Sequence, residues 1–302
     1  MQRTIVETVE PVAEGVVSLL LRGVDGPLAP WEPGAHIDLV LPNWLTRTYS
    51  LCGDQDDHDT YQIAVRHDPL SRGGSEYIHL FLRKGRTLDV SLPRNNFPLL
   101  PAPEYLFLAG GIGITPLMPM LNAAVESGAT ASLLYAGRSL ATMPFVNELQ
   151  SGYGRRVRIH SRDTYGTPDL TAEAAALSAE ALVYCCGPTA MLDAAEAVFP
   201  AERLHVERFR STVREFAPNA AFEVNCARSA RTVHVGEEDS MLDALNHAGF
   251  RIPSGCREGV CGSCEIIVTD GEPEHRDDIG ASLGRMYCCV SRSLSPTLTI
   301  DL

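Results

Sequence analysis

Three cysteines lie close together in a glycine-rich segment near the end of the sequence, at Cys256, Cys261 and Cys264. Their C-x4-C-x2-C spacing, with a further cysteine later in the chain, is typical of plant-type 2Fe–2S ligation. Two irons need four thiolates that converge on a small volume, and glycines let the backbone wrap closely around inorganic sulfide. The segment therefore predicts a 2Fe–2S cluster.

Two other uses of these cysteines are a structural zinc site and buried free thiols. Zinc sites usually carry two C-x2-C pairs, and this sequence has one. The fourth cluster ligand stays open at this point because Cys288 and Cys289 are adjacent, and adjacent side chains of an extended segment point to opposite sides. No Cys-x-His pair and no grouping of histidines with a carboxylate occurs, so neither a Rieske cluster nor mononuclear iron is expected.

A second segment that could bind a ligand is GGIGITP, residues 110–116. It follows an apolar run and opens a helical stretch. Glycines at a strand-to-helix turn let a phosphate approach the backbone amides. The pattern departs from G-x-G-x-x-G because Pro116 stands where the last small residue would be. Cys186-Gly187-Pro188 follows another apolar run. Ligands of an open α/β sheet bind at the carboxyl ends of its strands, so both segments predict a dinucleotide site.

A third set of residues could hold a flavin. Arg47-Thr48-Tyr49-Ser50 ends one apolar run, Val65 and Arg66 end another, and 71–75 is the segment SRGGS. An isoalloxazine ring favours an aromatic partner and a hydroxyl near N5, whereas its phosphate favours arginine and a nest of amides. Taken singly, these residues also fit sheet packing, a solvated charge and a turn.

The elements that position these residues divide into four segments. Residues 1–103 read as all-β, with the alternating runs and turns of a small antiparallel barrel. Residues 104–209 alternate strand with helix, as in a parallel, doubly wound sheet. Residues 210–220 carry no periodicity and are interpreted as a linker. Residues 221–302 predict a small α+β module.

Composition narrows the partners and the compartment. The net charge of −13 argues against nucleic acid or an anionic membrane as a partner. Nine cysteines with two adjacent pairs fit a disulfide framework poorly, so a reducing cytoplasm is expected. Neither a secretory signal nor an apolar stretch of the ~18 residues that span a bilayer is visible.

These motifs, RTYS (47–50), GGIGITP, CGP (186–188) and the cysteine spacing, occur in the order seen in one known family. Along essentially its whole length, the sequence resembles the phthalate dioxygenase reductase and vanillate O-demethylase reductase family, class IA reductases of Rieske oxygenase systems. The resemblance implies FMN in a ferredoxin-reductase-like β-barrel, an NAD(P)H-binding α/β domain and a β-grasp ferredoxin domain. It also places the fourth cluster ligand at Cys289, two residues before Ser291-Arg292.

The family pattern carries over to individual residues. Ser50 beside the flavin and Cys186 beside the nicotinamide are the expected catalytic residues. The implied FMN contacts are Arg47, Thr48, Tyr49, Ser50, Val65, Arg66, Gly73, Gly74, Ser75 and Phe209. The implied NAD(P)H contacts are Gly111, Gly113, Ile114, Thr115, Arg138, Arg162, Cys186, Gly187 and Pro188.

Two segments depart from the family. The segment between 271–277 and Cys289 is shorter than usual, so the loop beside the cluster is expected to differ. Where relatives often carry acidic residues for a ribose, this chain has Ser161-Arg162, which with Arg138 resembles a grip on a 2′-phosphate. We favour NADH and leave NADPH open.

The expected function is a monomeric reductase that passes a hydride from NAD(P)H to FMN and single electrons through the cluster to a Rieske oxygenase. Acidic residues around the cluster loop suggest electrostatic docking with that partner. They are Glu258, Glu265, Asp270, Glu272 and Glu274. The alternatives are a haem monooxygenase or separate ferredoxin as acceptor and, in another class, a non-catalytic redox sensor.

Overall fold

The protein is described by a computed structural model that covers residues 1–69, 72–212 and 214–302. It forms two compact units, Met1–Glu207 and Arg208–Leu302. Ser71, which belongs to the predicted SRGGS segment, and one residue of the predicted linker, Val213, lie outside the described residues.

The first part of unit one is a six-stranded antiparallel sheet. Its strands are β1 (Gln2–Ala13), β2 (Val16–Gly23), β3 (His36–Val40), β4 (Thr46–Ser50), β5 (Thr60–Arg66) and β6 (Thr87–Val90). They lie in the order β4-β3-β6-β1-β2-β5. The sheet closes because Leu51, just past β4, pairs with Ile63 of β5, and the Cys52 N–H donates to the Gln62 carbonyl at 2.9 Å. Alternate apolar residues fill the interior, so the predicted barrel is confirmed.

One element of this barrel differs from the all-β prediction. Helix α1 (Gly74–Phe81) begins at the glycine pair that the sequence presents as a turn. Its Ile78 and the following Leu82 are fully buried in the barrel core. Ile78 and Leu82 lie four positions apart and so on one face, and their packing stabilises a helix that is too short to be stable alone in water.

The second part of unit one is a five-stranded parallel sheet in the order β11-β10-β7-β8-β9. Its strands are β7 (Glu104–Gly110), β8 (Thr130–Gly137), β9 (Val157–Ser161), β10 (Leu182–Cys186) and β11 (Leu204–Glu207). Its helices are α2 (Ile114–Glu126), α3 (Val146–Tyr153), α4 (Arg162–Tyr165), α5 (Leu170–Ala175) and α6 (Thr189–Val198). Separate apolar clusters cover the two faces, which confirms the predicted doubly wound α/β fold.

Unit two is a small mixed sheet with one helix. Its elements are β12 (Phe222–Cys226), β13 (Arg231–Val235), α7 (Met241–His247), β14 (Glu265–Asp270), β15 (Pro273–Glu274), β16 (Arg285–Tyr287), β17 (Arg292–Ser293) and β18 (Thr297–Ile300). The main sheet has the order β13-β12-β18-β14-β16, with β12 and β18 parallel, and β15 pairs with β17. Met241, Leu242 and Leu245 of α7 are fully buried in the core of this unit. The predicted α+β ferredoxin module is confirmed.

The predicted domain boundaries fall between elements. β7 begins at Glu104, β11 ends at Glu207 and β12 begins at Phe222. Among the described residues of 208–221 there is neither helix nor strand. None of the helices in the described residues is both long enough and apolar enough to cross a bilayer.

Candidate functional site in the barrel, the α/β sheet and the cysteine loop

A cleft of about 590 Å³ in unit one lies where the carboxyl ends of β7, β8 and β10 face the barrel. This is the edge at which open α/β sheets bind nucleotides, and the volume suits a large cofactor. The predicted residues that line it come from both parts of the unit. They are Arg66, Gly111, Arg138, Arg162 and Pro188.

The two glycine segments meet at this edge because β7 and β10 are neighbours. A Cβ atom on Gly113 would lie 2.2 Å from the Cys186 carbonyl oxygen, and one on Gly110 would lie 2.5 Å from Pro188 Cδ. The Cα atom of Gly110 would lie 3.0 Å from a Cβ on Gly187. These positions therefore require glycine so that the two turns can approach each other.

Two predicted nucleotide contacts point into the protein instead. Ile114 is fully buried in the core, and Thr115 is 2% exposed with its hydroxyl donating to the Ile112 carbonyl at 3.0 Å. These side chains shape the start of α2, so only their backbone amides, at a positive helix end, can serve a phosphate.

A carboxyl group that the sequence reasoning missed lies beside both predicted catalytic residues. Cys186 and Glu207 are register partners at the ends of β10 and β11, and the Cys186 thiol lies 3.9 Å from Glu207 Oε2. The Ser50 hydroxyl also hydrogen-bonds the Glu207 carboxyl. Burial raises the pKa of Glu207 to about 8 and the pKa of Cys186 well above its ordinary value. The signal available in the sequence was the position of Glu207 at the carboxyl end of the last parallel strand.

The structure places a phosphate-sized cradle at the start of α1. Gly73, the N-cap residue, adopts a left-handed conformation with φ of 84° and has no side chain to cap the helix. A Cβ on Gly74 would lie 2.6 Å from Arg47 Nε, so the arginine side chain lies directly over this glycine. Ser75 Oγ accepts from the Asp68 N–H at 3.1 Å. Backbone amides at a helix start and an arginine are the donors that a flavin phosphate needs, so these residues fit the implied FMN.

The side chains of the remaining predicted flavin contacts lie in different surroundings. Tyr49 packs against the barrel core, and burial raises the pKa of its phenol. The Thr48 hydroxyl donates a hydrogen bond to the Asp38 carboxylate at 2.7 Å. Val65 is 1% exposed, and its carbonyl contacts the His79 ring at 2.9 Å. Phe209 belongs to unit two, where 40% of it is exposed, and its flavin contact stays a prediction.

The two predicted arginines of the nucleotide site sit at neighbouring strand ends. Arg138 follows β8, Arg162 opens α4 after β9, and both line the cleft. The nearby Asp163 carboxylate is held by the Ser161 hydroxyl, which lowers its pKa. The Asp163 carboxylate therefore stays ionised next to Arg162 and offsets part of the arginine charge.

In unit two, the four predicted ligand cysteines form two pairs. The Cys256 thiol hydrogen-bonds the Cys261 thiol, and the Cys264 thiol hydrogen-bonds the Cys289 thiol. No three His, Cys, Asp or Glu side chains of the described residues converge as one mononuclear metal site would require. Two pairs of thiolates are the donor set of a two-iron cluster, so the residues present fit the implied 2Fe–2S group.

The contacts of the adjacent cysteines favour Cys289 as the fourth ligand. Both Cys288 and Cys289 hydrogen-bond the Cys264 thiol, but the Cys288 thiol is fully buried and also donates to the Cys264 carbonyl at 3.2 Å. Cys289 instead accepts from the Gly259 N–H within the cysteine loop. Gly259 has φ of 72°, and a Cβ there would lie 2.7 Å from Val290 Cγ2, so the loop requires glycine at this point.

The predicted acidic docking surface is partly neutralised within the unit. Glu265 forms an ion pair with Arg285, and Glu274 pairs with Arg276 at 2.6 Å. These two carboxylates therefore offer a partner less net charge than the sequence suggests.

Comparison with known proteins agrees with this architecture. The model of the 2Fe-2S iron-sulfur cluster binding domain matches residues 224–293. The phenoxybenzoate dioxygenase subunit beta of Ectopseudomonas oleovorans is 40% identical over 97% of this chain and 96% of its own length. The solved structure of phthalate dioxygenase reductase, a modular protein for electron transfer from pyridine nucleotides to 2Fe–2S, is 35% identical with a TM-score of 0.74. It covers 99% of this chain and 97% of that one.

An intact type IV self-sufficient cytochrome P450 monooxygenase is also similar, with 39% identity and a TM-score of 0.89. All of this chain is covered, but it spans only 41% of that longer chain.

A closed barrel, a parallel α/β sheet with a nucleotide cleft and a plant-type cysteine loop define a flavin iron–sulfur oxidoreductase that uses NAD(P)H. Within this class, the chain belongs to the phthalate dioxygenase reductase family.

Proposed function

We propose that the protein is the reductase component of an oxygenase system and delivers electrons from NAD(P)H to a Rieske-type terminal oxygenase. The FMN that the barrel residues would hold would supply the conversion of one two-electron hydride from the nicotinamide into single electrons for the 2Fe–2S cluster. The observation that carries the proposal is the meeting of Ser50, Cys186 and Glu207 at the cleft edge, in a chain that also holds the paired cysteines.

The residues of the chain bind and orient rather than perform acid–base chemistry on a substrate. The closely packed turns at Gly113 and Gly187 fix the backbone at the end of β10, where the nicotinamide half would lie near Cys186. Arg47 and the start of α1 hold the flavin phosphate. Glu207, whose raised pKa keeps it protonated at neutral pH, accepts hydrogen bonds from Cys186 and Ser50 and holds both side chains in place.

A plant-type cluster with a reduction potential of ~−400 mV can reduce a Rieske centre, whose reduction potential lies between roughly −150 and +300 mV. The similarity to the self-sufficient P450 favours a haem protein as the second candidate acceptor. A non-catalytic redox sensor would show no NAD(P)H oxidation with added acceptors.

The test is steady-state oxidation of NADH and NADPH by the purified, cofactor-loaded protein, with cytochrome c or ferricyanide as acceptor. We expect turnover that requires bound flavin, and its absence with both nucleotides contradicts the proposal. Rieske oxygenase or P450 chains encoded beside the gene are then purified and mixed with the reductase. Reduction of the Rieske centre supports the proposed acceptor, and reduction of the haem alone replaces it.

We also propose a cellular compartment and an oligomeric state for the protein. Nine free cysteines, of which four are assigned to a cluster, fit a reducing cytoplasm. We propose a monomer, which size-exclusion chromatography with light scattering tests directly.

A further inference from the structure

The segment that enters unit two is held against that unit by side chains. The Thr212 N–H and hydroxyl donate to the two Asp278 carboxylate oxygens at 2.6 and 2.5 Å. Arg214 forms an ion pair with Asp278 and donates to the Asp277 carbonyl at 3.0 Å. The Asp278 side chain is only 7% exposed, so this is a buried, fully engaged carboxylate.

Further contacts continue along the same segment. Phe216 lies under the Arg276 guanidinium, whose carbon is 4.6 Å from the ring centroid. Arg276 donates to Asn219 at 2.8 Å, and Arg292 donates to the Ala220 carbonyl at 3.0 Å. Residues 212, 214, 216, 219 and 220 therefore lie along unit two, in a segment that the sequence presents only as a linker.

Asp278 also contacts the cysteine loop. Its backbone N–H donates to the Gly259 carbonyl at 3.0 Å, and the Gly259 N–H hydrogen-bonds the Cys289 thiol. One residue thus joins the linker to the loop that carries the predicted cluster ligands. Its carboxylate holds Thr212 and Arg214, and its amide holds Gly259.

We propose that Asp278, Thr212 and Arg214 form a clamp that positions the cluster for electron transfer from the flavin. The inference rests on the function proposed above. With the clamp closed, at most residues 208–211 can act as the tether between the units. With it open, Phe216 and Asn219 still contact Arg276, so the tether lengthens to residue 215. A longer tether lowers the effective concentration of one tethered group near another, roughly as the −3/2 power of length. Opening the clamp doubles the tether from four to eight residues and should slow flavin-to-cluster transfer about threefold.

The test changes the linker side and leaves the cluster loop intact. In the full-length protein loaded with FMN and cluster, Thr212→Val combined with Arg214→Leu removes both side-chain donors to Asp278 and leaves the Thr212 N–H donor in place. Stopped-flow mixing with NADH should give flavin reduction at the wild-type rate and cluster reduction about threefold slower. Hydrogen–deuterium exchange of 212–215 should rise, while the visible circular dichroism of the cluster stays unchanged.

Asp278→Asn tests the same clamp from the other side, and Asp301→Asn is its matched control. Asp301 also forms an ion pair with an arginine of unit two, Arg228, at 2.5 Å. Within the described part of the chain, its hydrogen bonds reach neither the linker nor the cysteine loop. The control should match wild type in both rates. Faster exchange in the linker with unchanged cluster reduction would overturn the positioning role. Unchanged exchange in the double variant would overturn the clamp. A wild-type flavin that neither NADH nor NADPH reduces contradicts the proposed function instead.

Discussion

The Cys186 thiol lies 3.9 Å from the Glu207 carboxylate, across the last register pair of two neighbouring parallel strands. Because β10 and β11 both end here, the two side chains meet at the sheet edge that binds nucleotides. The Ser50 hydroxyl, contributed by the barrel, hydrogen-bonds the same carboxyl. Three residues far apart in sequence thus form one small polar group beside the cleft.

Glu207 should control the pH dependence of flavin reduction. With a pKa of about 8, the carboxyl is protonated at pH 7 and loses its proton as the pH rises. In the wild type, we expect the rate of flavin reduction by NADH to change with an apparent pKa near 8. Glu207→Gln should abolish that change, since glutamine keeps a hydrogen-bond donor but does not titrate. Stopped-flow rates between about pH 6 and pH 9 measure this, and an unaltered profile in the variant would contradict the assignment.

The same carboxyl should affect stability. Because its pKa is raised from 4.5 in the folded state, folding favours the protonated form. Its contribution is complete below pH 4.5 and is lost as the pH rises through about 8. Glu207→Gln should therefore gain stability relative to wild type at high pH. Urea denaturation of both proteins at about pH 5 and pH 9 checks this, with a larger difference expected at the higher pH.

The adjacent cysteines should respond differently to substitution. Cys289→Ser should lose the cluster, because serine replaces a thiolate of the Cys264 pair. Cys288→Ser should retain it, since the buried Cys288 hydrogen-bonds the Cys264 carbonyl. Iron and sulfide content and the electron paramagnetic resonance of the reduced protein distinguish the two variants. The reverse pattern would assign the ligand to Cys288.

Gly74 should be required for flavin binding. Gly74→Ala places a Cβ 2.6 Å from Arg47 Nε and 2.7 Å from its Cγ, so the arginine must leave the cradle. The lost charge-assisted contact should weaken FMN binding about tenfold or more. Gly152→Ala in α3 is the control, because a Cβ there meets nothing within 4 Å. Fluorescence titration of the flavin-free protein with FMN compares them, and equal affinities would contradict the cradle.

Arg138 and Arg162 should determine how well NADPH is used. If they grip a 2′-phosphate, Arg162→Ala lowers kcat/KM for NADPH about tenfold or more and changes the NADH value little. The double change with Arg138→Ala should deepen the loss. A ratio of the two kcat/KM values that neither variant alters would mean that the arginines do not contact the phosphate.

Much of the fold could be predicted because its signals are local. Alternating runs such as 36–41 and 61–65 coincide with β3 and β5, and the runs between glycine turns coincide with β7 to β11. Helix α1 could not be predicted in this way. Its eight residues are fewer than the ~12 that an isolated helix needs in water, and they fold as a helix because Ile78 and Leu82 pack into the barrel core.

The sequence by itself determined the cysteine loop, the glycine turns and the order of the three modules, because each depends on the spacing of neighbouring residues. Only the tertiary structure brought Glu207 to Cys186 and Ser50, separated the contacts of Cys288 and Cys289, and joined Thr212 to Asp278. Those relationships depend on which strands are neighbours and which side chains the cores enclose. Contacts between residues that are distant along the chain leave no local pattern in the sequence.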